Sequence, residues 1–198
     1  IDNIVSACNN IGDKMFAGEP TDLTLEDINN FNQLVLKDLP LDKDVVPGKI
    51  RKHRVTVGRY LGAPAEDCEY LLRKLCDWIN AEFQAPEGQE IVFGIIKSII
   101  AHLYIAWIHP YGDGNGRTAR LIELQILLSV GVPSTAAHLL SNHYNMTRQE
   151  YYRQLDMASK SGGNVEPFIR YALQGHLYSH IHLYLSLRTA YSCRSDLP

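Results

Sequence analysis

Two apolar stretches, Ile91 to Ile108 and Arg120 to Val130, are joined by a turn reading His-Pro-Tyr-Gly-Asp-Gly-Asn-Gly-Arg-Thr-Ala-Arg from His109 to Arg120. This pattern constrains the fold more than any other. A residue before proline is pushed out of α geometry, so the first helix is expected to end near His109. Gly131 and Pro133 stop the second. The first stretch is about long enough to approach a membrane span. Lys97 and His102 interrupt it, however, and it runs straight into a charged turn, so it reads as a central helix buried on most sides.

The rest of the chain is also helical in pattern. Thr24 to Asp27 places a hydroxyl three residues before an acid, a capping box opening a helix toward Leu36. Pro40 and Pro47-Gly48 break it. Ile50 to Val57 carries the one good strand signal, ending in the β-branched run Val55-Thr56-Val57. One short strand pair suits it, with Arg51, Lys52, His53 and Arg54 as a solvated edge. Ala65 to Phe83 reads as an amphipathic helix, and 145–160 and 167–191 as two more, with Gly162-Gly163 between them. The fold class is all-α with a small β-hairpin, in one domain over residues 1–198. A helical lead-in covers 1–22, the hairpin 47–60, the polar turn and helix start 109–120, and a C-terminal helix 165–191.

The turn is an inventory for handling a polyphosphate. His109 can move a proton, and the negative end of the preceding helix is expected to favour its imidazolium form. Tyr111 is expected to pack inward. Asp113 has two readings, a cap for the next helix or a magnesium ligand shared with substrate phosphates. Gly114, Asn115 and Gly116 form either a tight turn that needs glycine or a nest of backbone N–H groups for an anion at a helix start. Arg117 and Arg120 stand three apart and share a helix face. Beside such a nest they suit terminal phosphates.

Other classes are excluded or given little support. No G-x-x-x-x-G-K-[ST] is present, so this is not a P-loop NTPase. A formal charge of −3 gives no whole-chain reason to expect nucleic acid, and no membrane association is expected. The four cysteines, Cys8, Cys68, Cys76 and Cys193, have no metal-site spacing and read as reduced thiols, so a cytoplasmic location is expected. His176 and His180 are four apart on a helix with His182 nearby, but no H-E-x-x-H accompanies them. His102 reads as a core histidine, and His138 and His143 as loop or cap residues. The aromatic stretch Tyr171 to Tyr191 reads as packing or as a contact with a second subunit, so a homodimer is among the expected states.

Residues 109–120 resemble the Fic family signature H-P-[FY]-x-[DE]-G-N-G-R-x-x-R with every specified position filled. Residues 47–58 resemble the family's flap hairpin, 65–83 the helix that follows it, and Tyr151-Tyr152 and Pro167-Phe168-Ile169 its downstream helices. The resemblance implies a protein adenylyltransferase that moves AMP from ATP to a Ser, Thr or Tyr hydroxyl. It assigns His109 as the base and Asp113 as the ligand of Mg2+ bridging the α- and β-phosphates. Gly114, Asn115 and Gly116 cradle those phosphates, with Thr118 in the same nucleotide-binding turn. Arg117 takes the β/γ-phosphates and Arg120 the γ-phosphate. Tyr151 and Tyr152 border the adenine, although Ser159 stands where the family often has Asn. Val55, Thr56, Val57 and Gly58 would dock the target by strand addition. Many members also hold an inhibitory helix of pattern [ST]-x-x-x-E-[GN], whose glutamate pairs with the second arginine. That pattern does not occur here, which places such a helix upstream of Ile1, on a partner, or nowhere. Two alternatives stand beside AMP transfer. One is Fic-type transfer of another phosphate-containing group, or removal of AMP. The other is a nucleotide-binding regulatory module without transfer activity.

Overall fold

The computed structural model describes residues 2–18, 21–57 and 60–178. The chain falls into two compact units, Ile1–Val132 and Pro133–Pro198.

The first unit holds α1 (Asp2–Phe16), α2 (Leu25–Leu36), β1 (Thr56–Val57), β2 (Tyr60–Leu61), α3 (Cys68–Asp77), α4 (Glu90–Ile108) and α5 (Asn115–Ser129). The capping box forms at α2 as its sequence requires. Asp27 N donates to Thr24 Oγ1 and Thr24 N to Asp27 Oδ2, both at 3.1 Å. Thr24→Ala is expected to cost about 1 kcal/mol in urea unfolding, since the N–H of Asp27 loses its acceptor and the Asp27 carboxylate loses the hydroxyl that donates to it. The helix expected over 65–83 is three pieces, a 3-10 turn at Ala65–Asp67, α3, and a π turn at Trp78–Glu82.

The centre of this unit is α5, not α4. Every residue from Leu121 to Leu127 is buried, including Glu123 and Gln125, because α5 packs against α1, α2 and α4. The helix α4 is apolar and long enough to cross a membrane by length and composition alone. It buries one side, through Ser98, Ile99, His102, Leu103 and Ile105, and exposes Ile91 and Val92 at its start and Tyr104 on the opposite side. His102 is a core histidine facing Glu123 of α5, with Nδ1 and Oε2 3.6 Å apart.

The hairpin is far smaller than expected. Among the described residues no extended flap spans 47–60, and strand pairing is limited to Thr56↔Leu61 and Val57↔Tyr60, antiparallel. The reason lies in the preceding segment. The N–H of Arg51 is bonded to Pro110 O and His53 O accepts from the Arg51 guanidinium, so these main-chain groups are not available to a ladder. Gly58 lies outside the described residues.

The second unit holds α6 (Ser134–Met146), α7 (Arg148–Lys160) and a helix α8 described over 166–178. Its core is aromatic, with Tyr144 and Tyr151 rings 5.1 Å apart and Phe168 and Tyr171 beside them. His138 and His143 lie within α6, not in a loop. The remainder of the expected C-terminal helix, with His180, His182 and Cys193, lies outside the described residues. Among the described residues, no group of three or more His, Cys, Asp or Glu could hold a metal ion.

Candidate active site

Helix α4 stops at Ile108, and His109 follows in left-handed geometry with φ 49° and ψ 57°. A non-glycine residue there is strained and needs support. Four consecutive carbonyls at this end receive donors from upstream of α4. Tyr60 Oη donates to Trp107 O at 2.6 Å, Arg51 Nη2 to Ile108 O at 3.3 Å, Arg51 Nε to His109 O at 2.7 Å, and Arg51 N to Pro110 O at 2.9 Å. The orphan carbonyls of the helix end are satisfied in this way.

This corrects the electrostatic expectation for His109. The cation at the negative end of α4 is the Arg51 guanidinium rather than an imidazolium. Burial pushes the His109 pKa below the ordinary histidine value, and Arg51 adds to the fall. A hydrogen bond to the Ala106 main chain and the Asp113 carboxylate oppose it without reversing it. The ring is therefore neutral at pH 7, with a hydrogen bond to the Ala106 main chain.

Across the turn, α5 begins. Asn115 is buried, and its side chain ties the loop shut through Tyr111, accepting from Tyr111 N at 2.9 Å and donating to Tyr111 O at 2.8 Å. Tyr111 packs inward, as expected, and its hydroxyl reaches Asn29 Oδ1 at 2.8 Å. Gly114 sits at φ 80°, and no side chain caps α5. The first N–H groups of α5 thus keep their partial positive charge for an anion. Gly116 is exposed, and a Cβ built there meets nothing within 4 Å, so the approach to these groups is open.

The charged residues surround this start. Asp113 is not the N-cap residue. One of its carboxylate oxygens accepts from Gly114 N, and the other pairs with Arg117 Nη2 at 3.2 Å. Arg117 Nη1 also donates to Val35 O at 3.1 Å. Arg120 is half-buried, and its Nε is buried without a hydrogen-bond partner among the described residues.

Other assignments fare differently. Thr118 is fully buried, donating to Gly114 O at 3.0 Å and accepting from Asn32 Nδ2 at 3.3 Å, so its hydroxyl is engaged within the loop. Tyr151 and Tyr152 belong to the second unit. Tyr151 is buried in the aromatic core, while Tyr152 is half-exposed with Arg148 5.8 Å over its ring. Ser159 donates back to Asp156 O at 2.8 Å. Thr56 is exposed and Val55 half-buried, and Val55 O accepts from Gly62 N at 3.1 Å.

Two residues that organise the turn escape a reading of the sequence. Arg51, taken as part of a solvated edge, is only 4% exposed, unlike its exposed neighbours Lys52, His53 and Arg54. Asn32 of α2 is fully buried, donating to Asp113 O at 2.9 Å and accepting from Gly48 N at 2.9 Å. A signal for Asn32 existed, since it falls four residues after Ile28 on the apolar face of α2.

Comparison with known proteins places this arrangement. A sequence profile of the Fic/DOC family matches residues 22–127. The chain is 30% identical over 171 residues to the protein adenylyltransferase fic-1 of Caenorhabditis elegans, covering 86% of this chain and 30% of that protein. It is 31% identical over 150 residues to the protein adenylyltransferase Fic of Nematostella vectensis, covering 75% of this chain and 31% of that one. The chain thus spans about 30% of the length of these curated relatives. A Fic-1 fragment from Caenorhabditis elegans superposes with a TM-score of 0.60 at 27% identity, over 91% of this chain and 49% of the fragment. A Fic family protein from Desulfovibrio desulfuricans gives 0.71 over 100% of this chain and 54% of its own, and at 21% identity the likeness is one of fold. With its profile matched over more than half its length and its turn signature complete, this chain belongs to the Fic/DOC family.

Proposed function

We propose that the chain transfers AMP from ATP to a hydroxyl side chain of a target protein, releasing pyrophosphate. The observation that carries this reading is the uncapped start of α5, flanked by Arg117 and Arg120 on one side of the turn and by a neutral His109 on the other. The target oxygen attacks the α-phosphorus, the bond to pyrophosphate breaks, and His109 takes the hydroxyl proton. The N–H groups of residues 115–117 hold the phosphates. Arg117 and Arg120 offset the charge that accumulates on the leaving pyrophosphate. The orphaned Nε of Arg120 is a donor suited to that role.

Asp113 fits Mg2+. Its carboxylate is a hard oxygen donor, 53% exposed, and already placed beside the helix start. A single carboxylate leaves the ion's other positions to phosphate oxygens and water, and the bound ion would neutralise phosphate charge. Arg117, paired with Asp113 in this structure, would turn to the phosphates. Val55 and Thr56, at the short ladder, are the proposed edge for an extended target segment.

Incubation of the chain with lysate, Mg2+ and ATP, followed by mass spectrometry of modified peptides, tests the reading. An AMP adduct on Ser, Thr or Tyr is the expected result. A different adduct from UTP, GTP or a CDP-linked donor, with none from ATP, would replace AMP transfer by another phosphoryl-group transfer. Nucleotide binding without any adduct would leave a regulatory module. The pH profile offers a further check. Because the His109 pKa is depressed, its base form is lost only as pH falls below the ordinary value near 6.5. The acid limb of kcat/KM is therefore expected to have its midpoint below about 6.5. A midpoint above 7 would contradict the assignment of His109 as a half-buried neutral base.

A further inference from the structure

We infer that Arg51 is the positioning residue for His109, a buried guanidinium clamp that fixes the end of α4 and with it the direction of the imidazole. The inference rests on the AMP-transfer reading for its kinetic consequence and on geometry alone for its structural one.

All three guanidinium nitrogens are bonded to main-chain oxygens. Nε donates to His109 O at 2.7 Å, Nη1 to His53 O at 2.6 Å, and Nη2 to Ala63 O at 2.6 Å and Ile108 O at 3.3 Å. No carboxylate is within ion-pair distance among the described residues. The charge is balanced by carbonyl dipoles, two of them at the negative end of α4. Only the planar fork of arginine reaches these oxygens at once, since lysine offers three donors from one point. The fork joins residues 53, 63, 108 and 109, so one side chain connects the segment before β1, the segment after β2 and the left-handed residue that carries the base.

The fit is close. A Cβ at Gly62 would lie 3.0 Å from Arg51 Nη2 and 3.1 Å from His109 Cβ, so main chain covers both side chains. The charged groups facing the imidazole are Arg51 and, from the turn, Asp113. Tyr60 of β2 and Cys68 of α3 bond the adjacent carbonyls of residues 107 and 108 through uncharged groups. Arg51 therefore acts twice on His109. Its fork sets the ring's position, and its charge disfavours protonation.

The two effects separate in Arg51→Lys and Arg51→Gln. Both are expected to bind ATP with Mg2+ within about twofold of the unmodified chain, because the N–H groups of α5 are untouched. With the fork gone, kcat is expected to fall on the order of 100-fold in Arg51→Gln and at least tenfold in Arg51→Lys. The His109 imidazole, followed by NMR, is expected to titrate at higher pH in Arg51→Gln and close to its original midpoint in Arg51→Lys, which keeps the charge. Full kcat in either folded variant, or an unmoved midpoint in Arg51→Gln, overturns the inference. If Arg51→Gln does not fold, kcat and ATP affinity of Arg51→Lys decide it, and equal loss of both would mean a merely structural arginine. Should the unmodified chain transfer nothing, the AMP-transfer reading fails, while the imidazole titrations still decide what Arg51 does.

Discussion

His109→Ala is expected to remove transfer activity while leaving the fold and ATP binding in place. A positioned general base contributes a factor of about 10² to 10⁴, equivalent to roughly 3–5 kcal/mol of barrier. None of the groups assigned to the phosphates belongs to His109, so ATP affinity is expected to stay within about threefold. The main-chain bonds at the position, from Arg51 Nε to His109 O and from His109 N to Ile105 O, survive the change. Stability is thus expected to change by about 1 kcal/mol or less, the ring's packing being the chief loss. His109→Gly serves as the matched control. It relieves the left-handed strain at φ 49°, worth on the order of 1 kcal/mol, so it should be at least as stable as His109→Ala and equally inactive. Initial rates with labelled ATP and isothermal titration of ATP measure both quantities. Transfer by a folded His109→Ala at more than a tenth of the normal rate would remove the imidazole from the chemistry.

What the sequence discloses here depends on whether the cause is local. The capping box at Thr24 and the end of α4 before Pro110 are set by residues within four positions of each other, and both form where their chemistry demands. Helix α6 shows how a local signal misleads. Pro133 reads as a stop for α5, yet it also sits at the N-cap of a new helix, whose buried Ala136, Ala137, Leu139, Leu140 and Tyr144 follow helical spacing. The central helix was not legible from hydropathy either. The most apolar stretch is α4, but burial follows topology. Contacts with α1, α2 and α4 enclose the more polar α5, Glu123 and Gln125 included. Arg51 is the clearest case. Its cationic neighbours make it look solvated, and only the tertiary approach of the carbonyls of residues 63, 108 and 109 gives it a buried place. In the turn the residue types were readable, but their division of labour was not. Asn115 and Thr118 support the loop with their side chains, and no side chain caps the N–H groups at the start of α5.

That division can be tested at two glycines of the turn. Gly114→Ala is expected to destabilise the first unit by about 3–5 kcal/mol, for two independent reasons. The residue sits at φ 80°, where a side chain costs on the order of 1–2 kcal/mol. The new Cβ would also lie 2.9 Å from Asn32 Nδ2 and 3.1 Å from Leu36 Cδ2, both packed from α2. Moving Asn32 breaks its bonds to Asp113 O and Thr118 Oγ1, and each buried polar group left unpaired costs about 1–3 kcal/mol. That total is a large share of the 5–15 kcal/mol typical of a whole domain. Gly116→Ala is expected to behave oppositely. Gly116 lies in the first turn of α5, and a Cβ there touches no neighbour. Stability should be unchanged or raised by a few tenths of a kcal/mol. The added methyl stands where phosphate would approach the helix start, so ATP affinity is expected to drop at least tenfold. Urea unfolding followed by tryptophan fluorescence reports on the first unit, since both tryptophans, Trp78 and Trp107, lie in it. A Gly114→Ala midpoint equal to that of the unmodified chain would refute the packing argument. Undiminished ATP binding by Gly116→Ala would mean that the phosphates do not rest on the start of α5.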